Sequence, residues 1–163
     1  MSYYLLMRKI LLIVALVVVG CSPNDKPSDL PPLYPCTIVV TQDGSPLAEA
    51  AIELVPISPA EAKYRAASIT GTDGKVSMTT YGFPGVPAGK YKVVISKNIQ
   101  DDLVYADNPS TGQKEIVSFK KYRTVEPKYS SAERSPYEIE INGKGKKAKH
   151  VFDIGKTVKT LIP

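Results

Sequence analysis

Between Cys36 and Lys97 the chain is cut into short apolar segments by Asp-Gly turns, and this punctuation is what most restricts its fold. Frequent turn formers between β-branched runs favour an all-β domain of short strands over a helical one. Cys36-Thr37-Ile38-Val39-Val40-Thr41 is the first strand, with Cys36, Ile38 and Val40 in one two-residue phase that faces the core. Gln42-Asp43-Gly44-Ser45 follows as a turn in which Gly44 is free to take positive φ. Ala50 to Val55 repeats the pattern, with Ala50, Ile52 and Leu54 inward and Glu53 outward. Pro56 to Lys63 is a loop holding at most one helical turn, and Tyr64 to Thr70 resumes the strand pattern. Thr72-Asp73-Gly74 turns the chain into Lys75 to Thr80, where Val76 and Met78 face in. Tyr81 to Pro87 is too rich in proline for an interior strand and reads as a rigid crossing. Tyr91, Val93 and Ile95 then line the inner face of a long strand, with Lys90 and Lys92 outside.

The chain ahead of this region looks like a device for delivery. Arg8 and Lys9 precede the unbroken apolar run Ile10 to Val19, a signal-peptide pattern too short for a comfortable membrane span. The run ends in Val18-Val19-Gly20-Cys21, which resembles the bacterial lipobox. In that family the cysteine thiol is diacylglycerated, the leader is cut before it and the new N-terminus is usually acylated. The resemblance implies that residues 1–20 are a cleaved lipoprotein signal peptide, with Cys21 as the lipid-attachment residue. Ser22 rather than Asp follows, which by resemblance to lipoproteins of diderm bacteria permits export to the outer membrane, on its periplasmic or cell-surface face. Ser22 to Pro35 holds five prolines among polar residues and has no apolar period, so residues 21–35 are expected to form an extended tether.

With 163 residues, the chain past that tether is one ordinary domain. Once Arg8 and Lys9 leave, 19 basic groups face 16 acidic ones, a net of +3 in place of the formal +5. That balance is ordinary for solubility and argues against a nucleic-acid partner. Acylation of Cys21 would exclude a Cys21–Cys36 disulfide. Cys36 is then either a reactive or intermolecular thiol or, as its strand phase favours, a small buried hydrophobe.

Asp43-Gly44-Ser45-Pro46-Leu47 with Ala50 and Ala51, then Thr72-Asp73-Gly74-Lys75, then Pro87-Ala88-Gly89-Lys90-Tyr91 resemble the carboxypeptidase-regulatory-like, transthyretin-like domains. Glu126-Pro127-Lys128-Tyr129, Ser135-Pro136 and Phe152-Asp153 are similar to stretches of small planctomycete-type lipoproteins. The resemblance implies that residues 36–163 form a seven-stranded Greek-key β-sandwich, all-β, of transthyretin/prealbumin-like type. It says nearly nothing of activity, because the fold hosts many roles.

Residues 98–135 show no clear period, apart from Ile116-Val117-Ser118-Phe119 as a short strand candidate, and read as a long loop inserted in the sandwich. Such an insertion is the natural place for partner contact, with Tyr105, Tyr122 and Tyr129 as anchors, or else it packs on its own domain. Tyr137, Ile139 and Ile141 alternate with Glu138 and Glu140 as a half-buried strand. Asn142 to Lys149 reads as a basic hairpin tip carrying Lys144, Lys146, Lys147 and Lys149. Phe152 and Ile154 face inward on the closing strand, and the tail adds an edge strand.

Catalysis is judged by inventory. His150 is the only histidine, so neither a hydrolytic triad nor a zinc site finds its partners. The histidines of transthyretin-like hydroxyisourate hydrolases and the iron ligands of intradiol dioxygenases have no counterparts here. Asp101-Asp102 lacks the alternating carboxylates of a calcium loop. No metal, cofactor or enzymatic activity is expected. The expected role is a lipid-anchored, non-catalytic envelope module that contacts protein; the alternative is a surface module that binds glycan or another ligand.

Overall fold

The computed structural model describes residues 26–61, 63–143 and 147–162. The expected leader, the lipid-attachment residue Cys21, and Lys144 and Lys146 of the basic stretch lie outside the described residues. The chain divides into two units, Met1–Leu30 and Pro31–Pro163. Of the first, the described end is a turn in which the Leu30 N–H donates to Pro27 O at 3.0 Å.

The second unit is all-β. In chain order it holds β1 (Leu33–Tyr34), β2 (Cys36–Gln42), β3 (Ser45–Pro46), β4 (Ala51–Pro56), a 3-10 turn (Pro59–Glu61) and β5 (Ala66–Ile69). There follow β6 (Lys75–Ser77), β7 (Thr79–Thr80), β8 (Phe83–Pro84), β9 (Val86–Pro87), β10 (Gly89–Ser96), β11 (Asn98–Asp107) and β12 (Lys114–Arg123). A second 3-10 turn (Pro127–Tyr129) leads to β13 (Glu138–Ile141), β14 (Ala148–Asp153) and β15 (Thr160–Leu161).

Two sheets build the body. One runs β13-β10-β4-β5-β7-β8, antiparallel throughout; the other sets β14 and β3 around β2, with β6 also paired to β2. Their inner faces meet in one core. Ile52, Leu54, Tyr91, Val93, Ile95, Ile139 and Ile141 come from the first sheet, and Cys36, Ile38, Val40, Val76, Phe152 and Ile154 from the second sheet and its end. This arrangement is consistent with a β-sandwich. Each fully buried Val, Leu or Ile contributes roughly 1.5–3 kcal/mol, so the alternation read along β2, β4 and β10 supplies most of the driving force.

Several buried polar side chains bond to backbone carbonyls. Tyr91 Oη donates to Pro87 O at 2.9 Å, and Thr70 Oγ1 donates to Leu47 O at 2.6 Å while accepting from the Ala50 N–H. Buried Gln42 donates through Nε2 to Thr124 O at 2.9 Å. On the outer face Lys92 pairs with its cross-strand neighbour Glu138 at 2.6 Å.

The turns follow their residues. Asp43 and Gly44 both have positive φ, 52° and 74°, in the two-residue connection of β2 to β3, the conformation a tight hairpin demands. Tyr81 and Gly82, at 52° and 82°, do the same between β7 and β8. The proline-rich crossing therefore contains two short strands, not an interior one.

The structure departs from the sequence expectation at two connections. The expected tether does not extend to Pro35: Leu33 and Tyr34 pair with Pro87 and Val86 as β1 and β9. Gly85 makes this close approach possible, since a Cβ there would lie 3.0 Å from both Leu33 Cβ and Tyr34 O. Asn142 to Lys149 is not a hairpin tip, because β13 pairs with β10 while β14 pairs with β2; the segment crosses from one sheet to the other. β14 moreover runs parallel to β2, from Ala148↔Cys36 to Asp153↔Thr41.

Cys36 is 2% exposed and burial pushes its thiol pKa up to about 11. It is expected to resist thiol reagents at neutral pH until denaturant is added, because the reactive thiolate is scarce and shielded. Rapid labelling of the native protein, followed by intact mass, would contradict the inward phase of β2.

Candidate functional site

Residues 98–123 are not a loop but a long antiparallel hairpin, β11 and β12, of ten residues each. The connection is an Asx-type turn: Asn108 Oδ1 accepts from the Ser110 N–H at 2.8 Å, and Gly112, at φ 67°, donates its N–H to Asn108 O at 2.8 Å. The register shifts between Asp101 and Val104 and again between Val104 and Tyr105. Such bulges twist the ribbon and move side chains between faces, which hides the two-residue period in the sequence.

A compact set of charges holds the base of this arm. Lys159, next to β15, reaches Asp101 Oδ2 at 2.6 Å and lies 4.4 Å from the centre of the Tyr122 ring. Tyr122 Oη donates to Asp102 Oδ2 at 2.5 Å, and Lys120 Nζ is 3.3 Å from the same oxygen. The Lys159 contact holds the Asp101 carboxyl below its ordinary pKa, and the Tyr122 hydroxyl with Lys120 does so for Asp102. The same bond pushes the Tyr122 phenol up. β15 pairs Leu161 with Tyr122 and Thr160 with Arg123, so the chain's tail braces the arm only at its root.

Beyond the root, β11 and β12 pair with no third strand among the described residues. Leu103, Val104, Tyr105, Ile116, Val117 and Phe119 are all exposed, with Tyr105 at 54% and Val117 at 60%. A two-stranded ribbon has no second layer to bury either face, and a hairpin alone is marginal in water. Tyr105 and Ile116 lie on one face and Val117 and Phe119 on the other, so the ribbon exposes large apolar side chains on both faces, as contact surfaces do.

The three tyrosines separate. Tyr105 is on the exposed part of the arm and Tyr122 is at its root, engaged with Asp102. Tyr129 is 7% exposed, belongs to the core and stacks on Tyr137 at 5.5 Å, with Tyr137 in turn 4.6 Å from Phe152. It is therefore a core residue and not a surface anchor. The residues missed in the sequence are Leu103, Val104, Ile116, Val117 and Phe119. Their signal was two β-branched and aromatic runs flanking Asn108-Pro109 and Gly112.

Among the described residues, no group of three His, Cys, Asp or Glu side chains is placed to hold a metal ion. His150 is half-buried beside Phe152, and its Nε2 has no hydrogen-bond partner; desolvation lowers its pKa and favours the neutral ring. No nucleophile or carboxylate stands beside it in a described hydrogen bond.

No protein-family model matches the sequence, and no curated protein matches it. A solved structure of a 9R-lipoxygenase from Cyanothece PCC8801 is similar over 93% of this chain and 20% of that one, at 15% identity and a TM-score of 0.30. A likeness that weak carries no argument about fold or function.

Proposed function

We propose that this chain is a lipid-anchored, non-catalytic module of the bacterial cell envelope that works by protein contact through the β11–β12 arm. Its body would be a seven-stranded Greek-key sandwich of the carboxypeptidase-regulatory-like, transthyretin-like type. Cys21 would moor it to the outer membrane after removal of residues 1–20. The leader pattern and Gly20-Cys21 support the mooring, and the sheet-on-sheet core is compatible with the body. The observation that carries the contact role is the two-stranded ribbon with Leu103, Val104, Tyr105, Ile116, Val117 and Phe119 exposed.

The test is the triple variant Tyr105→Ser, Ile116→Ser, Phe119→Ser in the native envelope. These side chains lie outside the core, so its melting temperature is expected to stay within about 3 °C of the parent. Chemical crosslinks to other polypeptides are expected to disappear. An unchanged crosslink pattern would contradict the role of the arm. A second reading, glycan binding, draws on the exposed rings of Tyr105 and Tyr81, at 54% and 52%. Retention of the protein on an immobilised envelope polysaccharide, lost in Tyr105→Ser and Tyr81→Ser, would favour it over protein contact.

A further inference from the structure

We infer that the arm's occupant is a second copy of this chain, with the two β11–β12 hairpins stacked face to face about a twofold axis parallel to their strands. This rests on the reading of the arm as a contact surface and commits that surface to one partner.

The ladder is regular from Tyr105↔Ile116 through Ala106↔Glu115 to Asp107↔Lys114. Cross-strand partners share a face, and so do residues two apart, so Tyr105, Ile116, Asp107 and Lys114 lie on one side of the ribbon. Tyr105 and Ile116 are 54% and 51% exposed. Among the described residues neither Asp107 nor Lys114 takes part in an ion pair, whereas Asp101 and Asp102 at the root are matched by Lys159 and Lys120. The outer part of the arm thus carries an apolar pair next to Asp107 and Lys114, cross-strand neighbours of opposite sign that are not joined in an ion pair among the described residues.

Charge is divided by strand. β11 holds Asp101, Asp102 and Asp107 and no basic residue; β12 holds Lys114, Lys120, Lys121 and Arg123 against Glu115. A twofold parallel to the strands lays β11 of each copy over β12 of the other. Asp107 then faces the second copy's Lys114, Tyr105 faces its Ile116, and both contacts are made twice. A twofold across the strands would instead stack acidic strand on acidic strand. Edge-to-edge pairing through β11 is opposed by the bulge after Asp101 and by Asp102 at φ 52°, which disturb the open edge.

The size of the face sets the strength. A ten-residue strand rises about 33 Å and two strands span about 10 Å, so each copy offers roughly 300 Å². The total is below the roughly 1,200 Å² of a standard stable interface, which places this association in the weak, concentration-dependent class.

The experiment is sedimentation of the mature full-length chain in density-matched detergent, over a wide range of protein concentration. The parent is expected to show a reversible monomer–dimer equilibrium. Asp107→Lys alone and Lys114→Asp alone place like charges against each other at both contacts, and each is expected to weaken dimerisation about tenfold. An equimolar mixture of the two variants restores opposite charges at both contacts and is expected to dimerise as tightly as the parent. A parent that stays monomeric at every concentration, or a mixture no tighter than its components, would overturn the inference. If the parent is monomeric yet the triple serine variant still loses its envelope crosslinks, the contact role of the arm stands and self-association falls.

Discussion

Gly74→Ala is expected to destabilise the domain by at least about 3 kcal/mol, a large share of the roughly 5–15 kcal/mol that holds a domain together. Gly74 has φ 68°, and a Cβ there would lie 2.5 Å from Val40 O and 3.1 Å from Leu47 N. Those atoms are backbone and already bonded: Leu47 N–H donates to Val40 O, and Val40 N–H donates to Gly74 O, both at 2.9 Å. An alanine would have to break the junction of β2 with the start of Leu47 or drive the turn away from the sheet. Gly112→Ala is the control, since Gly112 has a similar φ of 67° but nothing within 4 Å of its Cβ position. It should lose only the left-handed cost of about 1–2 kcal/mol. Urea midpoints of the two variants check this, and equal losses would mean that Gly74 is not held against β2.

Cys21→Ala is expected to move nearly all of the protein from the membrane pellet to the soluble fraction. More than one acyl chain makes anchoring durable, because each buried methylene adds about 0.8 kcal/mol, and the substitution removes the site of attachment. The body should remain folded, since its first described strand begins at Leu33, well past Cys21. Fractionation together with a β-type circular dichroism spectrum measures both parts. A variant that stays in the pellet would defeat the lipoprotein reading.

The strands that were legible in the sequence are those with one wet face and one dry face. Cys36, Ile38 and Val40 on β2, Tyr91, Val93 and Ile95 on β10, and Ile139 and Ile141 on β13 alternate with outward residues, and each is buried as its phase requires. Of the arm only Ile116-Val117-Ser118-Phe119 was legible as a strand, and it lies in β12. The rest was hidden because both faces are wet and two bulges interrupt the register, so Leu103-Val104-Tyr105 shows no alternation. β1 was hidden among prolines, and its pairing depends on Gly85, some fifty residues away. The crossing from β13 to β14 looked like a hairpin because a lysine-rich segment between two strands is compatible with either connection. Tyr129 was misplaced because a tyrosine in a polar stretch carries no mark of the ring stack that buries it. The candidate site was therefore located by segment, as an insertion after Lys97, while most of its residues emerged only from the pairing of β11 with β12.

The central claim is that this body meets its partner through the arm. It is tested most directly by placing a photo-crosslinking residue at Ile116 on the arm and, separately, at Ile69 on β5, which is exposed at 68%. The account predicts discrete polypeptide adducts from position 116 in the intact envelope, whether to a second copy or to another protein, and none from position 69. The same adducts from both positions, or adducts from position 69 alone, would contradict it.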